Sequence, residues 1–247
     1  MWDDAKALNA LALTLGGMAA VAIAAAVGLW LVRQPLFAIR EVVLATPPVR
    51  ASAPHLEAVI RDELSGTFFT MDLDATRQAI GAVPWVRKVG VRRQWPDRLE
   101  ILIEEHRPLA RWNDGGLVNI DGEIFVAAHT GPLPQFRGPD HFAGEIASRY
   151  AEWTGVLAPL GFGIAELAVS ARGAWHVRAD GPQGPLSLEL GRDDPTGRLS
   201  RFVAAYGRTI GALARQGTRV DHVDLRYRNG FAARVPGLRE APAKSGA

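Results

Sequence analysis

The sequence predicts an α+β protein with a single N-terminal transmembrane helix, and three observations support this. Residues 7–32 are apolar and uncharged, residues 37–106 follow the order strand, helix, helix, strand, strand, and the chain from 107 is rich in short strands. The last of these parts is predicted to be a mainly antiparallel β domain with helices packed on it. The predicted boundaries are a short tail (1–6), the transmembrane helix (7–32), a linker (33–36), the small α+β domain (37–106), the β domain (107–236) and a flexible C-terminal tail (237–247).

The apolar segment is long enough to cross a membrane. It lies between Lys6 and Arg33, and a helix rising about 1.5 Å per residue crosses a hydrocarbon core of roughly 30 Å in about 20 residues. The alternative is a cleaved signal peptide, since Ala24-Ala25-Ala26 resembles a cleavage site. Apolar regions of signal peptides run only about 7–15 residues, so the length favours an uncleaved anchor.

The flanking charges orient this segment only weakly. Lys6 follows Asp3 and Asp4, whereas Arg33 and Arg40 come after the segment. Taken alone, the positive-inside rule favours a cytoplasmic C-terminal side, although long domains are translocated largely regardless of charge.

Small residues form a stripe along the segment. They are Ala12, Gly16, Ala20, Ala24 and Gly28, each four positions from the next. Such stripes allow transmembrane helices to approach closely. The stripe therefore predicts helix–helix packing, although a segment this rich in alanine also produces one by chance.

The first domain begins with the strand FAIREVVLA (37–45). Ser52 is then predicted to cap a helix that runs through Leu64, and Asp72 to cap a second, short helix that ends before Pro84.

Residues 84–105, PWVRKVGVRRQWPDRLEILIEE, are predicted to form a β-hairpin. Basic residues between two tryptophans could also mark a nucleic-acid surface. One register, however, places apolar residues together on one face and opposite charges together on the other. Its pairs are Val91 with Ile101, Val89 with Ile103, Arg92 with Glu100, and Lys88 with Glu104.

This register leaves QWPDR (94–98) as a five-residue loop. It also neutralises the basic residues, and the whole chain carries 28 basic against 26 acidic residues. Because a phosphate-binding face needs uncompensated positive charge, nucleic-acid binding is disfavoured.

The second domain shows short strands separated by Gly, Pro and Asp-Gly turns. The predicted strands lie in RPLARWNDGGLVNIDGEIF, LPQFRGPDH, AELAVSARGAWHVRA, PLSLELG and VDHVDLRYRNGFAARV, and the predicted helices at about 140–158 and in TGRLSRFVAAYGRTIGALARQ (196–216).

The closing segment is predicted to be a hairpin with a two-residue Asn229-Gly230 turn. In its first strand the alternation directs Val223, Leu225 and Tyr227 inward. The outward set is Asp224, Arg226 and Arg228.

The final strand, FAARV (231–235), is predicted to lie at the edge of the sheet, with Phe231, Ala233 and Val235 facing outward. An apolar edge with unpaired backbone groups favours addition of a strand from a partner. The alternative is an ordinary closing strand covered by the tail.

No catalytic or cofactor site is predicted. The chain has no cysteine, its six histidines show no ligand spacing, and Glu104 and Glu105 point to opposite faces of a strand. No cofactor or metal is expected, and an enzyme is disfavoured for the same reason. A binding protein is the favoured class.

Several motifs resemble those of the FtsQ/DivIB family of bacterial cell division proteins. They are PWVRKVGVRRQWPDRLEILIEEHRPLARWND, FAIREVVL, LPQFRGP, LELGR followed by RLSRFV, and VDLRYRNG near the end. The start, MWDDAKALN, also resembles the short cytoplasmic starts of some members. The resemblance covers nearly the whole chain.

This resemblance implies a POTRA domain at 37–106, an FtsQ-type β domain at 107–236, and a non-enzymatic scaffold of the divisome. It implies a single-pass type II protein of the cell inner membrane at the septum, with its C-terminal domains in the periplasm, which overrides the positive-inside indication. It further implies binding to FtsB and FtsL and a link to FtsW, FtsI and FtsN. The runner-up is a POTRA-containing assembly or translocation factor of the envelope, although no run of barrel strands follows here.

The resemblance also implies a site for FtsB, which in the family adds as a strand to the last strand of the β domain. The matching positions are Arg226, Tyr227, Asn229, Gly230, Phe231, Ala232, Ala233, Arg234 and Val235. Family members can carry a late tryptophan where Val235 stands, and Phe231 is the expected substitute. A recruitment surface on the second POTRA strand would correspond to Val89, Gly90 and Val91.

Overall fold

The computed structural model describes residues 5–63 and 65–236. These form two compact units, which divide after His106. Of the predicted N-terminal tail, residues 1–4 lie outside the described residues, as does the whole predicted C-terminal tail, 237–247.

The chain begins with one long helix, α1 (Ala5–Val32). Its segment Leu8–Val32 has a mean hydropathy of 2.2 and is long and apolar enough to cross a membrane. None of that segment is buried against the rest of the chain, as expected for a helix whose solvent is lipid. A single transmembrane span fits both its length and its composition.

The rest of the first unit is a three-stranded sheet covered by two helices. Its elements are β1 (Glu41–Leu44), α2 (Ala53–Glu63), α3 (Leu73–Gly81), β2 (Val86–Gln94) and β3 (Arg98–Glu105). The sheet order is β1-β3-β2, with β1 parallel and β2 antiparallel to β3. Side chains from all three strands and both helices share one apolar core. The predicted β-α-α-β-β order is confirmed.

The predicted hairpin register is confirmed at all four pairs. Its loop is shorter than predicted, because Gln94 pairs with Arg98 and leaves only Trp95–Asp97 between the strands. Arg98 also pairs with Glu41 of β1. It therefore lies in the middle of three strands, where pairing on its second side favours its inclusion in the sheet.

The first strand is also shorter than predicted. Residues 35–37 form a 3₁₀ turn, and the Phe37 carbonyl accepts a hydrogen bond from Phe68 N at 2.7 Å, in the turn after α2. Phe37 is therefore held by that turn and not by the sheet. Asp72 caps α3 as predicted, accepting from Asp74 N and Ala75 N. Helix α2 starts directly after Ser52, and Leu64 lies outside the described residues.

The second unit is a mixed, mainly antiparallel sheet with helices packed on it. Its elements are β4 (Pro108–Trp112), β5 (Gly116–Asn119), β6 (Ile124–Phe125), β7 (Gln135–Arg137), α4 (Ala143–Leu157), β8 (Gly163–Val169), β9 (Trp175–Gly181), β10 (Gly184–Gly191), α5 (Pro195–Tyr206), α6 (Ile210–Arg215), β11 (His222–Asp224) and β12 (Ala232–Arg234). Among the described residues the strand order is β12-β11-β10-β9-β8-β7-β4-β5-β6.

The core of the second unit lies between the sheet and its helices. Trp153 of α4, Phe202 of α5 and Phe136 of β7 are almost fully buried in it. The single helix predicted over 196–216 is two helices, since Thr209 has a non-helical backbone (φ −119°, ψ −96°). The break lets Ile210, at 5% exposure, turn into the core. The predicted α+β class is confirmed.

Candidate partner-binding site

Strand β12 forms one open edge of the large sheet, as predicted. Among residues 5–63 and 65–236 it is paired on one side only, with β11, in the register His222–Arg234, Val223–Ala233 and Asp224–Ala232. The alternative, a closing strand covered by the tail, concerns residues 237–247, which lie outside the described residues. All three of its residues are exposed.

The hydrogen bonds of β11 show which groups of β12 face the open side. Asp221 O accepts from Ser187 N at 3.0 Å and Leu225 N donates to Glu189 O at 2.9 Å, so these alternate residues bond to β10. Successive residues of a strand direct their backbone groups to opposite sides. His222 and Asp224 therefore bond to β12, through Arg234 and Ala232. This leaves the N–H and C=O of Ala233 directed at the open edge.

The predicted outward face of this strand is wrong. Phe231, Ala233 and Val235 do share a face, but Ala233 lies directly opposite the fully buried Val223. Phe231 and Val235 are half-buried against the core, and the Phe231 ring packs edge-on against Phe202 of α5 at 6.0 Å. The face points toward α5, because pairing with β11 and not the turn sets its direction.

The two-residue turn at Asn229-Gly230 is also wrong. Seven residues, 225–231, separate β11 from β12. Leu225 stays bonded to β10, and the Asp224 carboxylate accepts from Arg226 N at 3.0 Å, so the chain leaves the hairpin path at once. Tyr227, predicted to point inward, is consequently 58% exposed.

Two ion pairs hold this segment in place. Arg226 bonds Asp224 through both ends of its guanidinium, at 2.9 and 2.7 Å, and this lowers the pKa of Asp224 and raises that of Arg226. Arg234 pairs in the same way with Asp221, at 3.1 and 3.2 Å, and lowers the pKa of that carboxyl. Arg226 and Arg234 are therefore already paired with carboxylates of this chain, although both arginine side chains stay largely exposed.

A groove of about 480 Å³ lies between α5 and the 225–231 loop. It is lined by Arg198, Arg201, Phe202, Ala205, Leu225, Tyr227, Arg228, Asn229, Gly230 and Phe231. Every charged residue in this lining is an arginine. The groove combines aromatic surface with positive charge, and it lies on the face of β12 that carries Phe231.

The contribution of α5 was missed from the sequence. Positions 198, 201, 202 and 205 recur at the three- and four-residue spacing that places them on one face of a helix. That spacing alone predicts a helix face turned toward the core. Only the packing of α5 beside the 225–231 loop brings Arg198 and Arg201 into the groove.

The other two predicted surfaces are placed differently. Val91 is buried and Val89 half-buried in the core of the first unit, and recruitment of a partner at this strand stays a prediction. Only Gly90, beside the exposed Leu102, faces outward there, although β2 is an edge strand.

The small residues Gly16, Ala20, Ala24 and Gly28 lie along α1. No described residue packs on Gly16 or Gly28 from elsewhere in the chain. Their packing against a second helix stays a prediction.

The paired carboxylates have separate structural roles. Glu104 forms ion pairs with Arg87 at 2.6 Å and Lys88 at 3.8 Å, whereas Glu105 accepts hydrogen bonds from the backbone of residues 49–51. Across the described residues, 5–63 and 65–236, no three histidine, aspartate or glutamate side chains are grouped as metal ligands would be.

Comparison with known proteins identifies the family. A model of the FtsQ-type POTRA domain matches residues 37–106, and a model of the C-terminal region of the cell division protein FtsQ/DivIB matches residues 110–226. The cell division protein FtsQ of Burkholderia pseudomallei is 37% identical over 97% of this chain and 96% of its own length. The chain belongs to the FtsQ/DivIB family.

Other FtsQ proteins agree over nearly the same span. Those of Nitrosospira multiformis and Neisseria gonorrhoeae are 37% and 33% identical, over 95% of this chain in both cases. The role of this FtsQ-family chain is therefore in cell division. Its first unit carries an FtsQ-type POTRA domain, and its apolar helix fits a single transmembrane span.

Proposed function

We propose that this chain is a non-enzymatic scaffold of the divisome that binds FtsB and FtsL through the edge strand β12. In this role it links early cytoplasmic division proteins to the late periplasmic ones, among them FtsW, FtsI and FtsN. It acts as a single-pass type II protein of the inner membrane at the septum, with its N-terminus in the cytoplasm and residues 37–236 in the periplasm. Membership of the FtsQ/DivIB family and the apolar helix support this assignment.

The open edge at Ala233 is the observation that carries the proposal. A partner segment that adds as a strand next to β12 would find the N–H and C=O of Ala233 directed toward it. The side chains of Ala232 and Ala233 are small and present little steric obstacle to its approach. Backbone pairing of this kind supplies affinity, and pockets for alternate side chains supply specificity.

The groove supports the same mode of binding and indicates the chemistry of the partner. It lies on the face of β12 toward which alternate side chains of an added strand would point. Tyr227 and the half-buried Phe231 offer aromatic contacts. Of the arginines in the lining, Arg201 already pairs with Asp194 at 3.3 Å and Arg198 donates to the Leu190 carbonyl at 2.6 Å, so Arg228 is the one most open to a carboxylate of the partner. We infer that the added strand of FtsB carries an apolar residue next to an acidic one.

The site offers binding and no catalytic arrangement. Aromatic rings and arginines line the groove without an acid–base pair or a nucleophile next to a base. Hydrolysis of peptidoglycan by the purified chain would contradict the scaffold assignment.

Replacing Ala233 by proline is the sharpest test, because it removes the outward N–H; the ring also fixes φ near about −65°. The bonds from β11 to Ala232 and Arg234 remain, and proline is tolerated on edge strands. Loss of one buried hydrogen-bond donor costs about 1–3 kcal/mol, which corresponds to at least about fivefold weaker binding. FtsB should then fail to co-purify with the Ala233→Pro chain at low concentration.

The matched control is Ala233→Ser, which keeps the N–H and should retain FtsB. Tyr227→Glu should also lose FtsB while the domain stays folded, since Tyr227 is exposed. Phe231 is less suitable, because its ring packs on Phe202 and a charge there would disturb folding. Unchanged FtsB capture by both Ala233→Pro and Tyr227→Glu would refute strand addition at this edge.

A further inference from the structure

Two hydrogen bonds join the chain at and just after the end of α1 to the turn that follows α2. The Thr67 hydroxyl donates to the Val32 carbonyl oxygen at 2.7 Å, and Phe68 N donates to the Phe37 carbonyl oxygen at 2.7 Å. The last carbonyls of a helix lack partners within it, so a side chain of the POTRA domain caps the apolar helix. The domain therefore begins directly where the span ends.

Two exposed apolar side chains lie at this junction. Leu36, in the 3₁₀ turn after α1, is 74% exposed. Phe69 is 49% exposed and packs edge-on against Phe37, with ring centroids 5.1 Å apart. Phe69 belongs to the same turn as Thr67, which caps the helix.

A third apolar side chain, Trp95, reaches the same end of the domain through the tip of the β2–β3 hairpin. Trp95 is 74% exposed, and the tip is bonded to the chain directly before β1, eight residues after α1 ends, where Arg40 N donates to Asp97 O at 2.9 Å. The opposite end of the sheet is marked by Glu105, whose carboxylate accepts from Val49 N. The eight residues of β3 place that end about 23 Å further away.

The length of the span sets the depth of these residues. The 25 residues from Leu8 to Val32 extend about 37 Å as a helix, against a hydrocarbon core of roughly 30 Å. In a centred span Val32 lies about 4 Å outside the core, among the lipid headgroups. Leu36 lies four residues further on, within the tight turn closed by Phe37 N and Gln34 O, so it stays near that layer.

We propose that Leu36, Phe69 and Trp95 form a lipid-facing foot that holds the POTRA domain against the bilayer spanned by α1. Single exposed apolar residues are ordinary on protein surfaces. Here three of them, two aromatic, share the end from which the membrane helix emerges, and aromatic side chains favour the interface between hydrocarbon and water. The proposal rests on α1 crossing the membrane and is independent of β12.

The charges next to the foot fit a lipid surface. Arg33 and Arg40 are exposed, and neither forms an ion pair within residues 5–63 and 65–236. Basic side chains beside an apolar anchor attract anionic headgroups. The foot would fix the orientation of the POTRA domain relative to the membrane, which a flexible linker would leave free.

The absence of cysteine from the chain makes the test direct. Single cysteines placed by Leu36→Cys, Phe69→Cys and Trp95→Cys would carry an environment-sensitive fluorophore. The full chain is reconstituted into vesicles of phosphatidylethanolamine and phosphatidylglycerol that contain a lipid quencher near the headgroups. Matched controls are Val49→Cys, 85% exposed at the far end of the sheet, and Leu13→Cys within the span.

Labels at the three foot positions should show blue-shifted emission and quenching by the lipid, whereas the label at Val49 should behave as in water. If Leu13→Cys reports a buried helix while the labels at 69 and 95 match that at 49, the foot is refuted and the span stands. If the label at Leu13 emits as it does in water, both the transmembrane span and the foot are refuted, and the proposed strand addition at β12 is unaffected. Shielding at 69 and 95 that requires added division proteins would assign this surface to a protein and refute the lipid assignment.

Discussion

Replacing Glu105 by alanine should destabilise the POTRA domain far more than its position at a strand end suggests. One carboxylate oxygen accepts hydrogen bonds from Val49, Arg50 and Ala51 N–H at 3.0, 2.9 and 2.8 Å, and the other accepts from Arg50 at 3.1 Å. These bonds tie the loop after β1 to the end of β3. The substitution removes the acceptor for all three donors at once.

The cost depends on which donors recover water. Val49 and Arg50 are exposed, so their N–H groups regain solvent, whereas Ala51 is only 6% exposed. A buried donor left without an acceptor costs about 1–3 kcal/mol, and loss of the two charge-assisted bonds brings the total to about 2–4 kcal/mol. For a domain of this size that corresponds to a fall in melting temperature on the order of 10–20 °C.

Calorimetry of the detergent-solubilised chain measures this loss, and amide hydrogen exchange over residues 47–56 shows whether it is local. Glu41→Ala is the matched control, because Glu41 also lies at a strand end of this sheet and pairs with Arg98, with both side chains half exposed. Exposed ion pairs contribute about 0–1 kcal/mol. Equal destabilisation by the two variants, or unchanged exchange at Ala51, would refute this account of Glu105.

Three further predictions concern single sites. Asp72→Ala should cost about 1 kcal/mol in chemical denaturation, because α3 loses its N-terminal cap; an unchanged midpoint would contradict the capping role. Gly181→Ala should lower stability by about 1–3 kcal/mol, since the added methyl would lie 2.1 Å from the Phe162 ring, and a variant as stable as the parent would show that the ring moves freely. The pKa of Asp224 is lowered in the folded chain, first by the hydrogen bond from Arg226. The ionised carboxylate therefore stabilises the fold fully above the unfolded pKa of about 3.9, and this stabilisation is lost as the pH falls through the lower pKa of the folded chain. Urea midpoints measured from neutral to acid pH should therefore fall less steeply for Asp224→Asn than for the parent chain.

Predictions from the sequence succeeded where one stretch of chain contains both partners of an interaction. The β2–β3 register follows from apolar alternation and from charges such as Arg92 and Glu100, which lie on adjacent strands eight residues apart. The N-cap at Asp72 likewise depends on atoms within three residues. Local patterns of this kind need no knowledge of the rest of the fold.

The predictions failed where a distant strand competes with a local signal. Asn229-Gly230 favours a tight turn, yet β11 is bonded to β10, more than thirty residues away in the chain, and Asp224 captures Arg226 N. The backbone therefore follows β10 as far as Leu225 and turns before Tyr227, which exposes that ring. The same competition rotates Phe231 onto Phe202.

The sequence by itself determined the apolar span, the order of the elements, the β2–β3 register and the motifs of the FtsQ/DivIB family, because composition and short-range periodicity encode all of these. Only the tertiary structure decided that Ala233 directs its backbone at the open edge, that α5 contributes arginines to the groove, and that Thr67 caps α1 beneath Leu36 and Phe69. Each of these depends on hydrogen bonds or packing between segments far apart in the chain. Such contacts form only when burial of the core brings the segments together, and no local pattern records them.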